Sequence, residues 1–235
     1  MWERIDKYYT APLFKKELIS PEAIIQGELR SSYFIASLSR IAQQPEIVEL
    51  LFDTRTKSEP ESTEEEFIDT INLKCGAVIV YFHAFGQPTP VLIDTLVPFI
   101  RGTRKPRFSR PSDLKYSPWF CLVEKAYAKL CGSYSFIECG QISSAIYNLF
   151  GYFPYYSRFS DVLSKREEKL RKIEGTKSDT PQSFNRVEYL FSKIMMWQYQ
   201  NAVIGAEIQV KNLPKSMKEE EIIDKGLMAG HSYLI

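Results

Sequence analysis

The sequence predicts an α+β domain. Helical periodicity dominates its first half, and β-branched and aromatic runs collect around residues 75–97 and at the C-terminal end. No repeat of about 20 to 50 residues orders these segments into a solenoid or propeller. The 235 residues, 44% apolar and 14% aromatic, suffice for one large domain or two modest ones. With 30 basic against 29 acidic side chains the formal charge is +1, so no uniform field draws the chain to nucleic acid or an anionic membrane. The four cysteines, Cys75, Cys121, Cys131 and Cys139, show no CxxC spacing and read as small buried hydrophobes. Only His83 and His231 are available to complete a zinc site, so no structural metal is expected. The opening MWERIDKYYTAPLFKKEL is charged throughout and lacks the apolar stretch of a secretory signal. No apolar run approaches the roughly 20 residues of a membrane span. The expectation is an intracellular, cytoplasmic protein with reduced thiols.

Each element follows from local chemistry. Ser31 or Ser32 can cap YFIASLSRIAQQ, where Ile35, Leu38 and Ile41 or Ala42 recur at helical spacing, which predicts a helix over 32–44 that Pro45 stops or redirects. PEIVELLF continues as a short second helix, and TRTKSEPESTEEE is an exposed loop. CGAVIVYFHAF and VLIDTLV, separated by the turn residues GQPTP, predict a hairpin over 75–97, with His83 as a structural residue in its first strand. The basic stretch containing Arg101, Arg104, Lys105, Arg107 and Arg110 lacks aromatic platforms and reads as a solvated loop rather than a phosphate site.

Ser117-Pro118 is a good helix start, with Ser as cap and Pro in the first turn. WFCLVEKAYAKLC then places Trp119, Leu122, Val123, Ala126 and Leu130 on one face, with Gly132 as the stop. SSAIYNLFG fits another short helix, DVLSKREEKLRKIEG a charged exposed one, and TKSDTPQS a linker. In FNRVEYLFSKIMMWQYQ, Val187, Leu190, Phe191, Ile194 and Met195 mark an amphipathic helix. AVIGAEIQV is a candidate buried strand, KSMKEEEIIDKG a polar loop with a helical turn, and GHSYLI a terminal strand.

Three separated motifs then resemble the catalytic core of the calpains, papain-fold cysteine peptidases activated by calcium. QGELRSSYFIASLSRIAQQP resembles the family's QGxLGDCWFLAALASLAxxP. LVEKAYAKLCGSY, Leu122 to Tyr134, is similar to LLEKAYAKLNGSY at nearly every residue, with Trp119 in register. KGLMAGHSYLI resembles the GLVxGHAYSV segment around the catalytic histidine. LIDTLVP and LFSKIMMWQYQNAVIGAEI agree more weakly, and the order is preserved along the chain. The resemblance implies a papain-like fold: a helical first subdomain over 1–157, and over 158–235 the start of a β-rich second one, left incomplete after the histidine strand. It further implies that other domains or a partner complete the missing strands.

A peptidase of this kind places a cysteine at a helix start, where the helix dipole and an imidazolium make a thiolate. The histidine protonates the leaving amine and a glutamine steadies the oxyanion. By the motif, Gln26 falls at the oxyanion position, His231 at the general acid and base, and Ser32 at the nucleophile. The family's Gly-Asp-Cys-Trp is here Arg30, Ser31, Ser32 and Tyr33, four changes that read as natural divergence. Loss of an essential nucleophile raises a barrier by several kcal/mol, at roughly 1.4 kcal/mol per tenfold in rate. Gly140 and Gly230 match glycines that let an extended peptide approach the cleft, although Cys139 replaces a second glycine beside the first. Two calcium-binding carboxylates of the family are replaced by Ala23 and Ser117, so no calcium is expected there. Three functional expectations follow: a catalytically silent domain that binds peptides or proteins, an active endopeptidase using Ser32 with His231, or a truncated copy without a biochemical role.

Overall fold

The computed structural model describes residues 1–11, 13–52, 76–155, 186–200, 202–207 and 231–234. Among these, the strands form four separate two-stranded antiparallel ladders, and the helices supply most of the core. β1 (Trp2–Arg4) pairs with β5 (Leu96–Pro98), and β2 (Ile24–Ile25) pairs with β6 (Arg110–Pro111).

α1 (Ser32–Ala42) buries Phe34, Leu38, Ile41 and Ala42, the stripe its periodicity marks. It stops short of the expected Gln44 because Pro45 disfavours helical backbone before it; Gln44 sits at φ −132 and ψ 82. The same proline opens α2 (Pro45–Leu50). The loop expected over TRTKSEPESTEEE lies outside the described residues, as does Cys75.

β3 (Ala77–Ala84) and β4 (Gln87–Asp94) form the expected hairpin, with Val80 opposite Val91. Its reversal takes only Phe85 and Gly86, at φ 53 and 75, the left-handed pair of a type I′ turn. The segment expected to be the turn is therefore mostly strand. By the period of two, Pro88 and Pro90 share one edge of β4 with Leu92 and Asp94. A proline on that edge has no N–H to leave unpaired, which is why β4 tolerates two of them. Inward, Val78, Val80, Phe82, Val91 and Ile93 enter the core. The strand expected to run to Val97 breaks at Thr95, whose N–H bonds Gly76 O and whose carbonyl accepts Ile5 N.

α3 (Trp119–Cys131) is buried around most of its circumference. Pro118 occupies its cap rather than its first turn, and the Ser117 hydroxyl accepts the Trp119 N–H at 3.4 Å. Tyr127 of α3 stacks on Phe34 of α1 at 4.1 Å and 4°, and Phe82 leans on Tyr127 at 5.7 Å. Burying an aromatic side chain such as Phe34 stabilises the fold by about 1.5–3 kcal/mol, so this junction of α1, α3 and β3 is the centre of the domain. α4 (Ile142–Phe150) follows a short 3-10 turn, Tyr134–Ile137, and packs on α1 and β3. Cys121 is buried as expected, but Cys131 and Cys139 are exposed, because one ends α3 and the other lies in the loop before α4.

α5 (Arg186–Tyr199) forms as expected, and two residues of its apolar stripe, Phe191 and Met195, are 62% and 49% exposed. Periodicity marks which side of a helix is apolar, not whether something covers it. β7 (Gly205–Glu207) pairs with β8 (Ser232–Leu234) in a ladder that has two strands among the described residues, but β7 is not the buried strand expected: Gly205 is exposed and Ala206 half-buried. The charged helix, the linker and the polar loop expected between these elements lie outside the described residues.

Candidate active site

The described residues singled out by the motifs lie on α1 or next to elements that meet it. β2 leads into a loop that the Arg107–Glu28 ion pair ties to the 107–110 segment at 2.6 Å. Within the loop, Gln26 Nε2 donates to Leu29 O at 2.8 Å, so one of its two amide protons already has an acceptor. Ser31 is fully buried at the cap position of α1 but does not cap it. Its hydroxyl instead donates to Glu124 Oε1 at 2.9 Å, and the other carboxylate oxygen accepts Ser109 N–H at 2.8 Å. Ser32 is the first residue of α1 and half-buried.

The EKAYAK segment of α3 turns out to be scaffolding for this site. Glu124 is 2% exposed, and burial raises its carboxyl above the ordinary range although Ser109 and Ser31 pull the other way. Lys125 Nζ donates to Asp94 Oδ1 at 2.5 Å, to Asp94 O at 3.0 Å and to Leu96 O at 2.6 Å, and Lys129 Nζ donates to Leu92 O at 2.6 Å. The two lysines thus cover the carbonyl edge of β4 that the prolines share. Tyr127 accepts a hydrogen bond from Asn148 Nδ2 at 3.0 Å. Burial, with Tyr127 alongside, holds the Tyr33 phenol well above its usual value.

Tyr33 explains Gly140. A Cβ built on Gly140 would lie 2.6 Å from Cε2 and 2.8 Å from Cε1 of the Tyr33 ring, and closer still to Cζ. Gly140 is exposed on its other side, so one face packs against the ring of α1 and one remains open. Gly230 lies outside the described residues. His231 is half-buried and immediately precedes β8, which packs against α1, while β7 lies against α4 with Gly205 beside Ile142. No hydrogen bond joins Ser32 to His231 among the described residues.

The positions of the family's calcium carboxylates do not fit a cation. Ala23 is a buried methyl, and the Ser117 hydroxyl donates to Leu13 O at 2.7 Å. A hard dication needs several oxygen ligands, preferably anionic, and neither side chain carries a carboxylate. Among the described residues no cluster of three or more His, Cys, Asp or Glu side chains stands ready for a metal. No helix among them is long and apolar enough to cross a membrane.

A mixed core of helices and strands, with β8 packed against α1, is consistent with the papain-like α+β fold. The chain belongs to the calpain family of cysteine proteases, whose family profile matches residues 1–235. It is 26% identical over 236 residues to Calpain-5 of Caenorhabditis elegans, an alignment covering 100% of this chain and 32% of that protein. It is 24% identical over 242 residues to human Calpain-14, covering 100% and 28%. A calpain-type cysteine protease of Arabidopsis thaliana is 31% identical over 132 residues, covering 56% of this chain and 5% of that protein. The chain therefore spans about a third of the two animal relatives.

The motif alignment points to Gln26, Ser32, Gly140 and His231, and the structure sets each of them on or next to an element that meets α1. It leaves Glu124, Tyr33 and Lys125 unassigned. A signal for Glu124 exists in retrospect: in WFCLVEKAYA the only charged residues are Glu124 and Lys125, and a helix that apolar on all sides is buried, so its carboxylate needs partners.

Proposed function

We propose that this calpain-family core is a pseudopeptidase, a cytoplasmic domain that holds extended polypeptide segments in a cleft between subdomains 1–157 and 158–235 without cleaving them. The start of α1 carries this reading: Ser32 stands where the family has its thiol, and Arg30, Ser31 and Tyr33 surround it. A serine hydroxyl is far less acidic than a thiol and needs a base to remove its proton during attack. Gln26, at the oxyanion position, gives one of its two amide protons to Leu29 O, which orients the amide and leaves the other proton for a bound carbonyl. The open face of Gly140 suits the close approach of a peptide backbone. Calcium has no place in the first subdomain of this reading, since Ala23 and Ser117 replace its ligands. Neither nucleic acid nor a membrane span enters this reading.

The test is hydrolysis of casein and fluorogenic peptides, with and without calcium, by the chain and its Ser32→Ala variant. Equal background rates are expected, together with retention of extended peptides. Cleavage that Ser32→Ala abolishes overturns the reading. The second reading, an endopeptidase using Ser32 with His231, is favoured by the packing of β8 on α1, which brings the strand after His231 to the helix that Ser32 opens. Labelling of Ser32 by a serine-directed phosphonate would support it.

A further inference from the structure

We propose that the basic turn over 101–105 is a docking site for acidic polypeptide, with Arg101, Arg104 and Lys105 pairing with carboxylates of an extended segment that passes Gln26. The proposal deepens the pseudopeptidase reading and rests on it in taking such a segment as the occupant.

The stretch PFIRGTRKPRFSR, 98–110, holds five basic side chains and no acid. Folding does not cancel these charges. Arg107 Nε meets Glu28 Oε2 at 2.6 Å, but Arg101, Arg104 and Lys105 are exposed, and among the described residues their side chains have no ion pair, hydrogen bond or ring contact. The acids on the neighbouring strand β1 and on either side in the sequence are engaged elsewhere: Glu3 with Lys7 and Tyr8, Asp94 with Lys125, and Asp113 with the Lys115 N–H. Asp6, in the 3-10 turn Ile5–Lys7, pairs with none of the three. Like charges this close repel one another, and a carboxylate brought among them relieves that repulsion.

The backbone that carries them is fixed. The Thr103 N–H and hydroxyl both donate to Ile100 O, at 3.0 and 2.9 Å, and the Ile100 N–H donates to Lys105 O at 3.0 Å. Gly102 takes the left-handed φ of 76 within the turn. A turn ordered before binding adds no ordering cost to the complex. It is also fixed to the candidate site: the Glu28 N–H donates to Arg107 O at 3.1 Å, and a Cβ on Gly27 would run into the carbonyls of Arg107 and Phe108. The loop over 26–29 therefore lies directly on the base of the turn. An extended segment whose carbonyl meets Gln26 reaches the cations within a few further residues, at about 3.3 Å each. Residues 101–105 carry no aromatic ring on which a base could stack and no apolar side chain to insert into a bilayer, so polypeptide is the partner they fit.

Fluorescence anisotropy with two labelled Gly/Ser peptides of equal length, one with Glu and one with Gln at alternate positions, tests this. At low salt the chain should bind the Glu peptide about tenfold tighter, as three exposed ion pairs would give. The gap should narrow as salt shortens the Debye length from about 30 to about 8 Å. Arg101→Ser with Arg104→Ser should close most of it. Lys15→Ser with Lys115→Ser removes the same charge from two other exposed lysines and should leave it. A peptide with Lys in place of Glu should bind the Arg101→Glu, Arg104→Glu chain more tightly than the parent. Equal affinity for the Glu and Gln peptides, or a preference that both pairs of serine substitutions weaken alike, overturns the proposal. So does tighter binding of phosphatidylserine vesicles or of an oligonucleotide that the turn substitutions abolish. Cleavage of the peptides would remove the pseudopeptidase reading and leave the acidic preference readable in the cleavage rates, whereas binding of neither peptide removes both.

Discussion

Gly140→Ala sets a methyl against the ring of Tyr33, and the structure fixes how far the ring would have to move. The new Cβ would stand 2.6 and 2.8 Å from two ring carbons, where carbon atoms pack at about 3.5–4.0 Å. The ring must therefore retreat by about 1 Å. It has little room: Tyr33 is 4% exposed and packs against Phe34, and Phe34 is in turn stacked on Tyr127, which Asn148 holds. Overpacking of this kind costs about 1–3 kcal/mol. For a chain of this size each kcal/mol lowers the melting temperature by roughly 2–4 °C, so the middle of both ranges is a drop of about 6 °C. Thermal unfolding followed by circular dichroism measures it. A Tyr33→Ala background removes the ring, so the double-mutant cycle should return a coupling above about 1 kcal/mol. A Gly140→Ala protein melting within about 1 °C of its parent, or a penalty that persists without the Tyr33 ring, would show that Gly140 is not a packing glycine.

Three further outcomes are expected. Burial raises Glu124 from its ordinary 4.5, so its contribution to stability is full below that pH and is lost as pH rises through the folded value; the stability of the parent relative to Glu124→Gln should decline from about pH 4.5 upward, and denaturant melts showing an increase would contradict this. Lys125→Met strips donors from Asp94 O and Leu96 O, costs about 1 kcal/mol, and should speed amide exchange at Leu96 and Val97, where unchanged protection would refute the clamp. Phe85 is fully exposed at φ 53, a left-handed position that suits Asn better than an aromatic residue, so Phe85→Asn should gain about 0.5–1 kcal/mol, and a lower melt would count against the turn geometry.

Most of the local structure was legible because its causes are local. The apolar stripe of α1, the stop at Gly132 and the β-branched run of β3 each act within a few residues. The errors lie where a distant group decides. The turn was expected at GQPTP because prolines mark turns, but Pro88 and Pro90 lie on a strand edge whose exposed carbonyls Lys125 and Lys129 cover from α3. Ser31 is one of the two candidate caps, yet the buried Glu124 draws its hydroxyl away from the helix amides. The apolar stripe of α5 follows from periodicity, which carries no information about the presence of a covering surface.

The sequence by itself determined the helices and hairpin of the core, membership of the calpain family, and the serine at position 32, since each rests on short-range pattern or residue identity. Only the tertiary structure decided what the conserved-looking EKAYAK segment does, why residue 140 is glycine, and where the hydroxyl of Ser31 points. The physical reason is separation along the chain: Ser31 meets Glu124 across 93 residues and Lys125 meets Asp94 across 31. No local propensity specifies such partners. They are chosen when burial removes water from a polar group and leaves it the contacts the fold supplies.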